Sequence, residues 1–147
     1  MPLDYIVSSL PTLKFGESAP ISVARFREIA GGVEIPAAWR DLETQLRNAV
    51  AEARGGEKYR RPARGCSTYW RARVLACFQE KDVYRRQEAI DRTWWDAAGE
   101  LADPASPLGK GALAAYAIRL EIAERRDKIS KDKGNEAFDR LALETKR

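Results

Sequence analysis

The chain has 147 residues, a formal charge of +4 and no histidine. At this length a single domain buries roughly 68–70% of its unfolded surface, so one hydrophobic core is feasible. Hydrophobic residues make up 44% of the chain and charged residues 33%, a balance that excludes a disordered protein and favours long solvated helices. Without histidine, triads of the Ser-His-Asp and Cys-His types are impossible, and the commonest metal ligand is missing.

The two cysteines, Cys66 and Cys77, are eleven positions apart and form no CxxC spacing. Zinc and redox motifs are therefore absent, and two reduced thiols are the preferred interpretation, with a disulfide left open. Residues 1–10 lack the basic segment and the apolar length of a signal peptide, and no stretch approaches about 18 apolar residues. We expect a cytoplasmic protein without a direct membrane span.

The N-terminal third begins with a short apolar run, residues 4–10, that precedes a proline. This run is too short to distinguish a strand-like segment from a helix. Further along, Ser22 is a candidate N-cap for a two-turn helix, because apolar residues follow it at helical spacing. We expect that helix to end at the glycine pair Gly31-Gly32.

The clearest helix is predicted from Pro36 to Arg54. Proline suits the first position of a helix, and apolar residues then repeat at three- and four-residue intervals until a glycine pair, Gly55-Gly56. Residues 57–65 are basic and have no apolar periodicity, so they predict a surface loop. Between Arg47 and Arg92 the chain carries twelve Lys or Arg against six acidic residues, so its positive charge is concentrated there.

The second half of the chain contains more helical patterns. Residues 70–101 carry apolar side chains at helical spacing with an interruption at residues 79–82, which leaves one helix or two open. After the linker 103–107 we expect a long helix from Leu108 to Ser130. Gly134 is expected to end it, and a short helix, residues 136–145, closes the chain.

The predicted fold is all-α, an antiparallel helical array or bundle in one domain spanning residues 1–147. Its parts are an N-terminal segment with a short helix (1–35), central helices with the basic loop (36–102) and C-terminal helices (108–147). We expect the stripes of the two clearest helices to pack together, which would place Leu46 against Leu120.

No pattern in the sequence indicates catalysis. A phosphate-binding loop is absent, and the glycine pairs follow helices, so they indicate helix ends. The carboxylate pair Glu121 and Glu124 lies beside Arg125 and Lys128, as expected of a solvated, ion-paired helix face. We predict a protein that is not an enzyme, with no catalytic residue, no cofactor and no metal site.

Aromatic and arginine side chains alternate through the middle third. Such a mixture suits a helical core with arginines over its rim, an interface with a protein, or a surface that stacks bases and neutralises phosphates. Adjacent side chains such as Trp94 and Trp95 diverge by about 100° on a helix, so both cannot point into one core. The candidate partner-binding residues are Arg60, Arg61, Arg64, Arg71, Arg85, Arg86, Trp94 and Trp95.

Both ends of the chain resemble a bacterial family of uncharacterised proteins that tend to be encoded among V-type (V/A-type) ATPase subunit genes. At the N-terminus the similarity is carried by Asp4-Tyr5-Ile6-Val7-Ser8-Ser9-Leu10-Pro11, Leu13, Phe15-Gly16, Pro20-Ile21-Ser22 and Phe26. At the C-terminus it is carried by residues 115–141, including Tyr116, Arg119-Leu120, Ile122, Arg125, Ile129, Lys133-Gly134 and Phe138. The C-terminal pattern is also similar to the central-stalk socket subunit of V-type ATPases, called C in bacteria and d in eukaryotes, which is a much longer threefold helical repeat.

The resemblance implies a non-catalytic subunit or assembly factor of an ion- or proton-transporting V-type ATPase, similar to a reduced socket that couples the rotor shaft to the membrane ring. Its partners would then be protein subunits of that complex, and it would lie peripherally at the inner face of the membrane. The alternative function is an RNA-binding or ribosome-associated helical protein that uses the central arginine and aromatic residues.

Overall fold

The computed structural model describes residues 2–56, 58, 60, 61 and 67–145, and only the backbone of residues 131–145. All regular structure in these ranges is helical, and they contain no strand, so the prediction of an all-α array is confirmed. The α-helices are α1 (Leu3–Ser9), α2 (Val23–Ala30), α3 (Ala37–Ala53), α4 (Thr68–Cys77), α5 (Val83–Ala98) and α6 (Lys110–Thr145). A 3₁₀ turn, Gly99–Leu101, follows α5.

The N-terminal segment is helical and contains no strand-like part. The short apolar run is α1, whose Ile6 is buried. For α2 the predicted cap is confirmed, because the Ser22 hydroxyl accepts a hydrogen bond of 3.0 Å from the Arg25 backbone N–H. The helix ends at Gly31, whose φ of 70° lies in the region that favours glycine.

Helices α3, α4 and α5 form the centre of the array, with α4 packed against both of the others. The predicted bounds of α3 are confirmed within a residue at each end, since the helix follows Pro36 and stops before Arg54. The open question about residues 70–101 is resolved in favour of two helices. Asp82 caps the second of them, because its carboxylate accepts hydrogen bonds from the N–H groups of Tyr84 and Arg85.

The last helix, α6, runs without interruption from Lys110 to Thr145. The prediction that Gly134 ends a first helix and that a separate helix begins at residue 136 is therefore wrong. A glycine inside a helix costs about 1 kcal/mol relative to alanine, and no proline follows it here to stop the helix. Among the described residues, no helix has both the length and the apolar character needed to cross a membrane.

The buried residues form two clusters that share α6. The larger joins Trp39, Leu46 and Trp95 to Ile118 and Ile122 of α6. The smaller contains Ile6, Phe26, Leu113 and Leu120. The predicted pairing of Leu46 with Leu120 is wrong, because α6 buries two faces and those two leucines belong to different clusters.

The segment that precedes α3 is also attached to α6 by polar contacts over long sequence separations. The backbone N–H of Ala19 donates to Asp127 at 2.8 Å, and that of Val23 donates to Glu124 at 2.7 Å. The Tyr116 hydroxyl donates to the Pro11 carbonyl oxygen at 2.7 Å. These bonds satisfy backbone groups of a loop and of the first turn of α2 with side chains of α6.

Candidate functional site

A groove lies between α3, α5 and α6. Its main part is a cavity of about 670 Å³ with an apolar floor and charged walls. The floor includes Ile90 and Trp94 of α5 and Ile118 and Ile122 of α6. The three isoleucines of the floor are buried and Trp94 is half-buried, so Trp94 is the most accessible of these four side chains. The residues that line this part are Ile35, Trp39, Arg40, Glu43, Arg47, Gln87, Ile90, Asp91, Trp94, Ala117, Ile118, Glu121, Ile122 and Arg125.

A second cavity of about 570 Å³ continues the groove along α3 towards its C-terminus. Val50 and Arg54 line it, and it shares Arg47, Ile90 and Trp94 with the first cavity. Because Trp94 lines both cavities and is half-buried, it is the central aromatic side chain of the groove.

The two adjacent tryptophans have different roles, as their angular separation predicted. Trp95 is buried in the core, where its ring meets the Phe15 ring edge-on at 5.5 Å between centroids. Trp94 packs on the same core cluster from outside and lines the groove. Of this pair, only Trp94 is therefore placed to contact a partner.

The α3 wall of the groove is basic. Arg40, Arg47 and Arg54 are spaced seven residues apart and are all exposed. Arg47 forms an ion pair of 3.2 Å with Glu43, one turn before it. A seven-residue interval keeps side chains on one face of a helix, so Arg40 and Arg47 share one edge of α3, and Arg54, the C-cap residue, lines the second cavity beyond them.

A buried carboxylate, that of Asp91, links the α5 and α6 walls of the groove. Asp91 of α5 is 3% exposed and accepts hydrogen bonds from Arg125 at 2.7 Å and from Arg126 at 3.2 Å, both on α6. The Gln87 amide donates to it at 3.0 Å. Its charge is thus compensated by two guanidinium groups, an arrangement that fixes the relative position of α5 and α6.

Two of the predicted partner-binding arginines, Arg60 and Arg71, converge on Glu52 of α3. Arg60 lies 3.0 Å from the carboxylate, and Arg71 contacts both carboxylate oxygens. The hydrogen bond from Arg71 is the main reason that the pKa of Glu52 lies below its ordinary value. Through Glu52, Arg60 and Arg71 link α3 to the basic region of residues 57–65 and to α4, so both arginines stabilise the fold.

The other predicted arginines are dispersed. Arg61 is held at its backbone by the Asn48 side chain, which donates to its carbonyl and accepts from its N–H. Arg86 donates to the Glu80 carbonyl, and its guanidinium lies over the Phe78 ring. Arg85 is exposed at the start of α5, away from the groove. Arg64 lies outside the described residues.

Several of the aromatic residues are covered by arginines of the same chain. Arg73 lies over the Trp70 ring and also forms an ion pair with Asp96. Phe15 is flanked by two guanidinium groups, those of Arg92 and Arg126, at 5.1 and 4.6 Å from its centroid. This geometry favours the interpretation of arginines covering the rim of a core.

The carboxylate pair on α6 has structural contacts. Glu124 accepts the hydrogen bond from the first turn of α2, and Glu121 lies 3.8 Å from Arg27. In the ranges that the structure describes, no group of three or more acidic or cysteine side chains is close enough to hold a metal ion. Cys77 is buried and unpaired, and Cys66 is outside those ranges.

Sequence reasoning missed the residues that define the groove. The seven-residue spacing of Arg40, Arg47 and Arg54 was visible, but only the packing shows that this edge borders an opening. Asp91 was missed because a single carboxylate on a charged helix has the same pattern whether it is exposed or buried. The Trp94-Trp95 pair was the one signal that pointed to this site.

The fold and the groove define an all-helical protein with an open, mixed apolar and charged cleft between three helices. Comparisons of the chain with protein-family models, with curated proteins and with solved structures find no match. The resemblance of the chain ends to the V-type ATPase-associated family is therefore a hypothesis.

Proposed function

We propose that the protein is a non-catalytic, protein-binding component of a V-type ATPase, either a subunit near the central stalk or an assembly factor. The observation that carries the binding role is the groove with the half-buried Trp94 at its centre. Tryptophan and arginine are the side chains most enriched among residues that dominate protein interfaces, and both line this groove.

The assignment to a V-type ATPase is supported by the resemblance of the two chain ends. Residues that carry the resemblance pack against each other, since the rings of Phe26 and Tyr116 are stacked at 5.6 Å. Ile6 and Leu120 belong to the same cluster. Two matching segments that are distant in sequence thus form one structural unit, as expected if they derive from one family.

In this role the protein transmits force or holds subunits together and performs no chemistry itself. Long helices fixed to one another by buried contacts suit such a coupling element, which would lie between the rotor shaft and the membrane ring. The partners are then protein subunits, and the protein reaches the membrane through the complex.

The test is affinity purification of the tagged protein from the cells that encode it, followed by identification of the bound proteins. We expect V-type ATPase subunits to co-purify with the wild-type protein and to be lost with Trp94→Ala. Tyr84→Ala is the matched control, because Tyr84 is an exposed aromatic residue on the same helix outside the groove. Circular dichroism of both variants shows whether the fold is retained.

RNA binding is the outcome that would replace this proposal. In that case no ATPase subunit co-purifies, and RNA binds with an affinity that falls with salt at a logarithmic slope of about −0.7 per phosphate contact. The internal ion pairs of Arg60 and Arg71 argue against it, because both guanidinium groups are bound to the Glu52 carboxylate.

A further inference from the structure

We propose that the groove binds one amphipathic helix of a partner protein, and that this helix carries acidic side chains about every seven residues along the edge facing α3. The inference rests on the proposed protein-binding role of the groove. It is independent of whether the partner belongs to a V-type ATPase.

The length of the groove fits a helix. Arg40 and Arg54 are fourteen positions apart, so the basic edge of α3 spans about 21 Å at 1.5 Å per residue. A partner helix lying along this edge passes all three arginines within about four turns. Recognition of this kind places the apolar face of a helix in a groove between other helices.

The arginines of this edge are available for a partner. Arg40 and Arg54 form no ion pair with any residue that the structure describes. Arg54 instead lies 5.8 Å from the centre of the Phe78 ring, which holds its guanidinium beside the second cavity. Arg47 is 69% exposed and is paired with Glu43, which is 31% exposed; a surface pair of this kind contributes little and is easily exchanged.

Carboxylates are the side chains that match this edge. A guanidinium binds a carboxylate through two parallel hydrogen bonds, and such pairs set the register of helices packed side by side. Three arginines at seven-residue spacing therefore select acidic residues at the corresponding spacing. Lysine-rich helices are repelled along the same edge.

The floor and the far wall complete the specificity. Ile90, Trp94 and Val50 offer an apolar surface for the buried stripe of the partner helix. On the α6 side, Glu121 is 62% exposed and faces the same cavity, so a basic residue on the other edge of the partner fits there. The groove thus favours a helix with acidic residues on one edge and a basic residue opposite.

The same charges disfavour a nucleic acid in the groove. Glu43 on the α3 side and Glu121 on the α6 side both line the first cavity, and a phosphate backbone along it would pass both carboxylates. A helix can place a neutral or basic side chain beside each of them, whereas a phosphate backbone is negative along its whole length.

The probe is a fluorescein-labelled synthetic helix of about three heptads, with leucine at the positions facing the floor, glutamate every seventh residue on one edge and one lysine opposite. We expect saturable binding to the full-length protein by fluorescence anisotropy. Two control peptides separate spacing from charge: one moves the glutamates out of the seven-residue register, and one replaces them by lysine. Both should bind about tenfold more weakly, or worse.

Substitutions in the protein test the arginines of the same edge. Arg40→Glu combined with Arg47→Glu should weaken the glutamate peptide about tenfold or more and strengthen the lysine peptide, a reversal that loss of folding cannot produce. Arg25→Glu, an exposed substitution on α2, should change neither. Equal binding of all peptides, no binding of any, or variants without effect would overturn the proposal.

The outcomes separate this inference from the proposed function. If ATPase subunits co-purify and the Arg40→Glu, Arg47→Glu variant retains them, the function stands and the acidic helix is wrong. If the peptide experiment succeeds and no ATPase subunit co-purifies, the acidic-helix site stands and the assignment to the ATPase is wrong.

Discussion

Arg119 and Trp95 make two contacts at once: the Arg119 Nε donates a hydrogen bond of 2.9 Å to the Trp95 carbonyl oxygen, and its guanidinium lies 5.3 Å from the centre of the Trp95 ring. Burial lowers the pKa of this guanidinium below its ordinary value. The contact fixes the end of α5 on α6. Since consecutive helix residues diverge, fixing Trp95 in the core also directs Trp94 into the groove.

Replacing Arg119 with methionine should lower the free energy of unfolding by about 2 kcal/mol. The substitution removes a partly desolvated cation–π contact and one hydrogen bond while retaining much of the apolar side-chain volume. Urea unfolding followed by circular dichroism measures the change. Arg25→Met on the surface is the control, and a loss no greater than in that control would contradict this account.

Asp91→Asn should destabilise the protein by about 2–4 kcal/mol, because Arg125 and Arg126 would face each other without the buried carboxylate between them. Thermal and urea unfolding both report the loss. Glu88→Gln removes a carboxylate from the exposed side of the same helix and should change stability by less than about 0.5 kcal/mol. Similar values for the two variants would show that Asp91 does not join α5 to α6.

Gly111→Ala should destabilise the protein although it lies in a helix, where alanine normally gains about 1 kcal/mol. A Cβ at this position would overlap the Leu101 carbonyl oxygen, which belongs to the backbone and cannot move aside easily. We expect a loss of about 1–3 kcal/mol in urea unfolding. Gly32→Ala, where a Cβ meets no described atom within 4 Å, should be close to neutral, and a stabilised Gly111→Ala protein would refute the close helix contact.

Tyr116 should make stability fall at alkaline pH, because burial raises the pKa of its hydroxyl. A folded pKa above the unfolded value of about 10 means that the contribution is fully present below pH 10 and is lost as pH rises through the folded pKa. The wild type should therefore lose more stability between pH 9 and about 11 than Tyr116→Phe does. Tyr5→Phe, at an exposed position, should lose as much as the wild type, and identical losses in all three proteins would contradict the prediction.

Local patterns predicted the elements well where periodicity and end signals agreed. For α3, a proline at the start and a glycine pair at the end gave bounds correct within a residue. The angular argument about Trp94 and Trp95 separated the two side chains but did not indicate which of them is buried. Gly134 shows the opposite case, because one weak helix breaker without a supporting stop signal does not outweigh helix continuation.

Long-range relationships could not be predicted from these patterns. The contact of Arg71 with Glu52 joins residues on different helices, so no spacing rule indicates it. The apolar residues of α6 lie on two buried faces, and helical periodicity does not indicate which neighbouring helices cover each face. The groove depends on how three helices are arranged, and that is decided by packing and not by the pattern of any one helix.

The attachment of the N-terminal segment to α6 has a consequence for the order of folding. Ile6, Phe26 and the backbone N–H groups of Ala19 and Val23 gain contacts from Leu113, Leu120, Glu124 and Asp127, which a ribosome adds about a hundred residues later. Until then α1 and α2 are each too short to be stable alone. The apolar side chains of α1 and α2 therefore lack these partners until α6 has been synthesised.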